Sequence, residues 1–268
     1  MNLACLLAIV PFATTPPAAE PPVTAPPAAS TAAPKVDELL TRLESAAADL
    51  RDFAAGIAYE RFDALLDETE RRYGRLVLEG QGKDRKLALL FDEFIDGSGR
   101  SDRTKDHWLF VDGWLVEINE KAKSVTERQV APPGSTFDPL KLGEGPFPIP
   151  LGQPKAEVLK RFRVEDLERS DAPLLKTLPP CLGLRLVPLE GTDFAKETAA
   201  VEVWYEPETL SPLGLVIREV NGDHVAVRLI KPARNAGLSD ADRALLVKPA
   251  IDPTQWAIDR RPLAREPG

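Results

Sequence analysis

His107-Trp108-Leu109-Phe110-Val111-Asp112-Gly113-Trp114-Leu115-Val116-Glu117-Ile118-Asn119 sets the fold class. Two apolar runs flank Asp112-Gly113, and Asp-Gly between such runs is the strongest short-range signal of a β-hairpin. Upstream, Phe53, Ala55, Ile57 and Tyr59 alternate with Ala54, Gly56, Ala58 and Glu60. That period of two predicts a strand with one drier face. Tyr73 to Leu78 and Lys86 to Ile95 are two further strands, separated by Gly80-Gln81-Gly82-Lys83-Asp84, and Asp96-Gly97-Ser98-Gly99 ends the second. Downstream, Asn119-Glu120-Lys121-Ala122-Lys123 turns the chain into Ser124 to Val130. Consecutive strands joined by short turns form an antiparallel meander, because parallel strands need long crossovers.

The meander is preceded by a helix. Val36, Leu39, Leu40, Leu43, Ala47 and Leu50 fall on one stripe at helical spacing, with Pro34 just ahead. It is followed by residues 131 to 154, which hold seven prolines and four glycines and predict a long irregular loop. Pro154 then suits the first position of a short helix carrying Val158, Leu159 and Phe162, with Glu157 and Arg161 as an i,i+4 pair. Such a loop and helix can close one end of a sheet. Strands return at Leu182 to Leu189, Ala199 to Tyr205 and Leu213 to Val220, and Asn221-Gly222 makes a hairpin into His224 to Ile230. Beyond Asn235 the pattern fades, with a short helix over Asp240 to Val247 and a loosely attached tail after Pro249.

Composition narrows the function classes. The chain has 268 residues, 34 basic against 42 acidic side chains, and a net charge of −8. A nucleic-acid surface must neutralise phosphates with clustered cations, so this balance argues against one. No apolar run reaches the roughly 18–20 residues that a membrane helix needs. Two cysteines exclude a disulfide scaffold and a four-thiolate zinc site, and no metal or cofactor is expected. No phosphate-binding loop, nucleophile elbow or metalloprotease motif occurs. A hydrolase would have to draw on Cys181, His107 beside Asp102 or Asp106, or His224. Cys181 has no adjacent cation to lower its pKa, and both histidines flank turns, so these read as structural positions.

Residues 1–34 contain no Lys or Arg, and Glu20 is their only acid. Leu3 to Ala13 has the length of a signal-peptide apolar region, so residues 1–13 are read as an export signal. Cys5 precedes most of that stretch and reads as an apolar residue of the signal rather than a lipidated cysteine. Thr14 to Pro34 holds seven Pro and seven Ala in 21 residues and reads as an extended tether over 14–34. The folded domain is then 35–235, with 236–268 as a C-terminal extension.

Tyr59, Phe91, Trp108, Phe110, Trp114 and Trp204 all lie on candidate strands. They form either a core or the wall of an apolar cavity, since curled antiparallel sheets enclose such cavities.

The order of elements resembles the outer-membrane lipoprotein carrier (LolA-like) family over about Val36 to Asn235. The resemblance is carried by Val36-Asp37-Glu38-Leu39-Leu40-Thr41-Arg42-Leu43 running into Leu50-Arg51-Asp52-Phe53-Ala54-Ala55-Gly56-Ile57. Gly82-Lys83-Asp84-Arg85-Lys86-Leu87 and Phe110-Val111-Asp112-Gly113-Trp114-Leu115-Val116 follow. The C-terminal part adds Leu184-Arg185-Leu186-Val187-Pro188, Val201-Glu202-Val203-Trp204-Tyr205 and Leu213-Gly214-Leu215-Val216-Ile217. The resemblance implies an α+β fold: a curved antiparallel sheet forming an unclosed half-barrel, with an N-terminal helix and a lid loop or helix. It implies a periplasmic or cell-envelope protein that binds acyl lipid or lipoprotein without catalysis and passes it from an inner-membrane donor to an outer-membrane acceptor. The expected lining is Phe53, Ile57, Tyr59, Leu76, Leu78, Leu89, Phe91, Trp108, Phe110, Trp114, Val116 and Val203. Arg85 is the nearest match to the arginine that holds the family's lid. The alternative is a non-transporting binding or sensor module on the same fold, which the long tether favours.

Overall fold

A computed structural model describes residues 34–132 and 153–263. The expected signal, most of the tether and most of the Pro/Gly-rich loop lie outside the described residues. Helix α1 spans Pro34–Ala48 and is followed by six strands: β1 Asp52–Asp63, β2 Glu68–Glu79, β3 Lys86–Ile95, β4 Ser101–Val111, β5 Trp114–Asn119 and β6 Ser124–Gln129. Helix α2, Lys155–Arg161, leads directly into β7, Phe162–Leu167. Then come β8 Leu182–Pro188, α3 Asp193–Glu197, β9 Thr198–Tyr205, β10 Pro212–Glu219, β11 His224–Arg234, α4 Asp240–Leu245 and β12 Ala257–Arg261.

All twelve strands join one curved, unclosed sheet in the order β12-β6-β5-β4-β3-β2-β1-β11-β10-β9-β8-β7. Every neighbouring pair is antiparallel except β12, which runs parallel to β6. The expected α+β half-barrel is therefore the observed architecture. Its two halves meet where β1 pairs with β11, from Phe53–Arg234 to Phe62–His224. Asp112 and Gly113 take positive φ of 50° and 78° and pair Val111 with Trp114, as a two-residue hairpin requires.

Alternation along the strands separates two faces. The inner face carries Phe53, Ala55 and Ile57 of β1, Leu76 and Leu78 of β2, and Leu87, Leu89 and Phe91 of β3, with Val203, Leu215, Val227 and Leu229 from the other half. Helix α1 lies across it, burying Val36, Leu39, Leu40 and Leu43 at the predicted spacing. The carbonyls at the end of α1 are satisfied from outside the helix. Gln81 Nε2 donates to Ala48 O and Leu50 O at 3.0 and 3.1 Å, Asn235 Nδ2 donates to Asp49 O at 2.8 Å, and the Arg234 guanidinium donates to Ala46 O.

Three local features differ from the sequence expectation. Pro154 stands just before α2 rather than at its first position. Phe162 is not part of that helix but opens β7, with Phe162 and Val164 buried and Arg163 and Glu165 exposed. The tail is not loose. Ile251 and Trp256 pack against the outer-face cluster of Ala54, Val77, Ala88, Leu109 and Val116, which also holds Leu238 and Leu246, and β12 pairs along β6.

Candidate functional site

Ten of the twelve expected lining residues share the inner face: Phe53, Ile57, Tyr59, Leu76, Leu78, Leu89, Phe91, Trp108, Phe110 and Val203. Trp114 and Val116 do not. The hairpin pairs Phe110 with Leu115, so Leu115 shares the inner face while Trp114 and Val116 point outward. Val116 packs with Ile118, Val125 and Leu246, and the Arg260 guanidinium stacks 4.6 Å from the centre of the Trp114 ring. A two-residue turn fixes this parity, and applying it to Phe110 would have selected Leu115 from sequence alone.

The inner face is filled where α1 covers it. At the C-terminal end of the helix a cavity of about 10 Å³ remains between Leu43, Ala46, Leu50, Phe53, Tyr205 and Arg234. That holds about one water. Burial pushes the Tyr205 hydroxyl well above the usual phenol range, and it pushes the Arg234 guanidinium down. Helix α2 abuts α1: Lys155 Nζ lies 2.6 Å from Asp37 Oδ1 and donates to Thr41 Oγ1 at 3.1 Å, while Val158 joins the inner core.

Beyond the helix the inner face becomes aromatic and then polar. Tyr59, Phe91 and Trp108 form an edge-to-face series with centroids 5.8 and 6.1 Å apart. Arg72 sits at its rim, 6.0 Å from the Phe91 centroid and 3.7 Å from Asp106 Oδ2, and Asn119 Nδ2 donates to Asp106 Oδ1 at 2.8 Å. Burial raises the Tyr59 hydroxyl above its ordinary value. An apolar body with a polar exit is the arrangement that an amphiphile requires.

The outer face is built differently. Over β1 to β6 it is covered by the C-terminal segment, and the Arg75 guanidinium grips Asp242 of α4 through bonds of 2.8 and 3.0 Å. That ion pair holds the Asp242 carboxyl below the usual carboxylate range. Glu127, also buried, takes Lys248 and lies 3.4 Å from Arg260 Nε. Over β8 to β11 it is covered by residues 168–181. Arg218 holds buried Glu202 through bonds of 2.9 and 3.0 Å and reaches Asp171 in the covering segment.

Arg85 directly precedes β3, at the same end of the sheet as the C-terminus of α1, and its backbone N–H donates to Gly82 O at 3.3 Å. The loop it was expected to hold lies outside the described residues. His107 is buried on the outer face, with Nε2 donating to Leu245 O at 2.9 Å, and burial lowers its pKa. The His224 ring packs 5.0 Å from that of Phe62. Burial raises the Cys181 thiol. No group of three or more His, Cys, Asp or Glu side chains able to hold a metal occurs among the described residues.

No protein-family model matches the chain, and no curated protein does. Solved structures that align with it include an uncharacterized conserved protein from Thermus thermophilus, at 12% identity and a TM-score of 0.44, covering 85% of this chain and 99% of the other. A putative outer membrane lipoprotein-sorting protein domain from Vibrio parahaemolyticus aligns at 14% identity and a TM-score of 0.32, covering 79% of this chain and 98% of the other. The Pseudomonas aeruginosa MucA/MucB complex aligns at 14% identity and a TM-score of 0.40, covering 80% of this chain and 61% of the other. The fold assignment itself rests on the strand order and register given above.

Proposed function

We propose that this is an exported, LolA-like lipid-binding protein of the periplasm or cell envelope, which holds acyl chains against the inner face without chemistry. The observation that carries the reading is the continuous apolar inner face under α1. Burying a Leu- or Val-sized side chain is worth about 1.5–3 kcal/mol, so Val36, Leu39, Leu40 and Leu43 together hold the helix down by about 6–12 kcal/mol. A 16-carbon acyl chain gains about 12 kcal/mol on leaving water. The two are comparable, so an acyl chain can exchange with α1 on the same surface, and neither is held irreversibly. The aromatic series and the Arg72–Asp106 rim would then face the polar end of the cargo. Phe53, Ile57, Leu76, Leu78, Leu89 and Phe91 would line the chain, and Arg85, beside the helix end, would hold the lid.

A second reading is favoured by the filled inner face: a non-transporting module that binds lipid or lipoprotein only when α1 is displaced. In the carrier reading an inner-membrane donor loads the site and an outer-membrane acceptor empties it. Purifying the exported protein without detergent, extracting it with organic solvent and identifying lipids by mass spectrometry tests both. Stoichiometric acyl lipid or lipopeptide supports the carrier. An empty protein that binds a fluorescent fatty acid only after Leu39→Ala and Leu43→Ala loosen α1 supports the sensor. Empty protein that binds no fatty acid in either form overturns the lipid-binding reading.

A further inference from the structure

The outer face of the C-terminal half holds a second pocket that the lipid reading does not use. It has a volume of about 420 Å³ and lies between the sheet and the segment 168–181. Ligand pockets commonly fall at about 300–1,000 Å³, so this one is large enough for a small molecule. Trp204, on β9, forms part of its wall and is fully buried. Its side chain points outward because Val203, its neighbour, belongs to the inner core.

The indole Nε1–H of Trp204 is buried and has no hydrogen-bond partner among the described residues. Buried donors are nearly always satisfied, and leaving one unmade is costly. The group lies on the β8 side, 2.9 Å from where a Cβ on Gly183 would stand. Cys181 and Glu168 wall the pocket on that same side, two residues before Gly183 and one residue after Leu167, whose carbonyl is the other close neighbour of that Cβ position. Glycine there lets the buried indole edge lie directly against β8, where any side chain would collide with it.

The rest of the wall defines what would satisfy the donor. Leu175, Leu178, Pro179 and Pro180 supply apolar surface. Two cations, Arg169 and Lys176, are exposed at the pocket against one acid, Glu168. The segment over the pocket has one short 3-10 turn at Pro173–Leu175 and is otherwise irregular. Its polar ties to the sheet include Arg218 to Asp171 and Arg228 to Thr177.

We infer that this outer pocket binds a small amphiphilic carboxylate, with an oxygen accepting from Trp204 Nε1–H, the hydrocarbon body against the leucines and prolines, and the negative charge facing Arg169 and Lys176. The site is separate from the inner face and stands or falls independently of the acyl-carrier reading.

The test is a titration of the full chain with decanoate, with decanol as the uncharged control, followed by the indole N–H resonances in a nitrogen–proton correlation spectrum. Loss of one peak in Trp204→Phe assigns Trp204, and Trp108→Phe assigns the inner-face indole. The expected result is a downfield shift of the Trp204 peak with decanoate and little with decanol. Arg169→Ala with Lys176→Ala, both exposed, should weaken binding roughly ten-fold. Trp204→Phe should weaken it by at least about ten-fold. An unmoved Trp204 peak, equal response to decanol, or unchanged affinity in the exposed double variant would each overturn the inference. Movement of the Trp108 peak alone would overturn it too, while leaving the inner-face reading intact.

Discussion

The two faces of this one sheet are closed by different physics. The inner face is a single apolar core that runs from β5 across the β1–β11 junction to β7 and is capped by a regular helix. The outer face carries two smaller apolar patches, each under a mostly irregular segment and each accompanied by a part-buried ion pair: Arg75–Asp242 on one half and Arg218–Glu202 on the other. Apolar contact is non-directional, so α1 can leave and another apolar body can take its place. Charge pairs need fixed geometry, so the outer segments are positioned rather than exchangeable. On the proposed reading, exchange would belong to the inner face and permanence to the outer one.

The largest expected effect lies inside. Phe53→Ala removes a fully buried ring under α1 and should cost about 3–5 kcal/mol in denaturant unfolding. A loss below about 1 kcal/mol would mean that the inner core is not the stabilising layer. Next is Arg218→Met, which leaves buried Glu202 to Arg185, whose Nη1 is 3.6 Å away. It should cost about 2–4 kcal/mol and speed amide exchange in residues 168–181 while α1 keeps its protection. Smaller again is Asp242→Asn, which breaks the charged grip of Arg75 on α4. About 1–2 kcal/mol is expected, since Arg75 is partly solvated. Equal exchange effects on α1 and α4 would dissolve the distinction between the faces.

The smallest effect is a pH response confined to the outer face. Burial depresses the folded-state pKa of His107 below its ordinary 6.5, so the fold binds fewer protons than the unfolded chain. Its contribution is complete above pH 6.5 and is lost as pH falls through the folded value. Asp242, also depressed, acts in the same direction, its contribution being complete above 3.8 and lost as pH falls further. Protection factors in 238–247, taken relative to the intrinsic exchange rate at each pH, should therefore fall as pH drops from about 7 to 5, and His107→Gln should remove that fall. A fall of equal size in the variant would contradict the assignment to His107.

The meander was legible because its strands alternate and its turns are short. Phe53, Leu76, Leu89 and Phe91 could be placed on one face by counting in twos. β9 was harder: Val201 to Tyr205 are all buried because the sheet is covered on both sides, so hydrophobicity carries no alternation there. The inner residues Leu184, Val201, Leu215 and Leu229 were missed for that reason. β7 was hidden because Val158, Leu159 and Phe162 share helical spacing, although the helix ends at Arg161. β12 was invisible because all five of its side chains are exposed and its place is set by backbone pairing to β6. The outer pocket depends on Trp204 and Gly183 meeting across neighbouring strands, which only the register reveals.

If α1 and an acyl chain compete for the inner face, hydrogen exchange of the full chain with and without palmitate will show it. Palmitate should raise exchange throughout residues 34–48 while β1 to β3 stay protected. Palmitate binding with exchange in 34–48 unchanged would mean that the two do not share one surface.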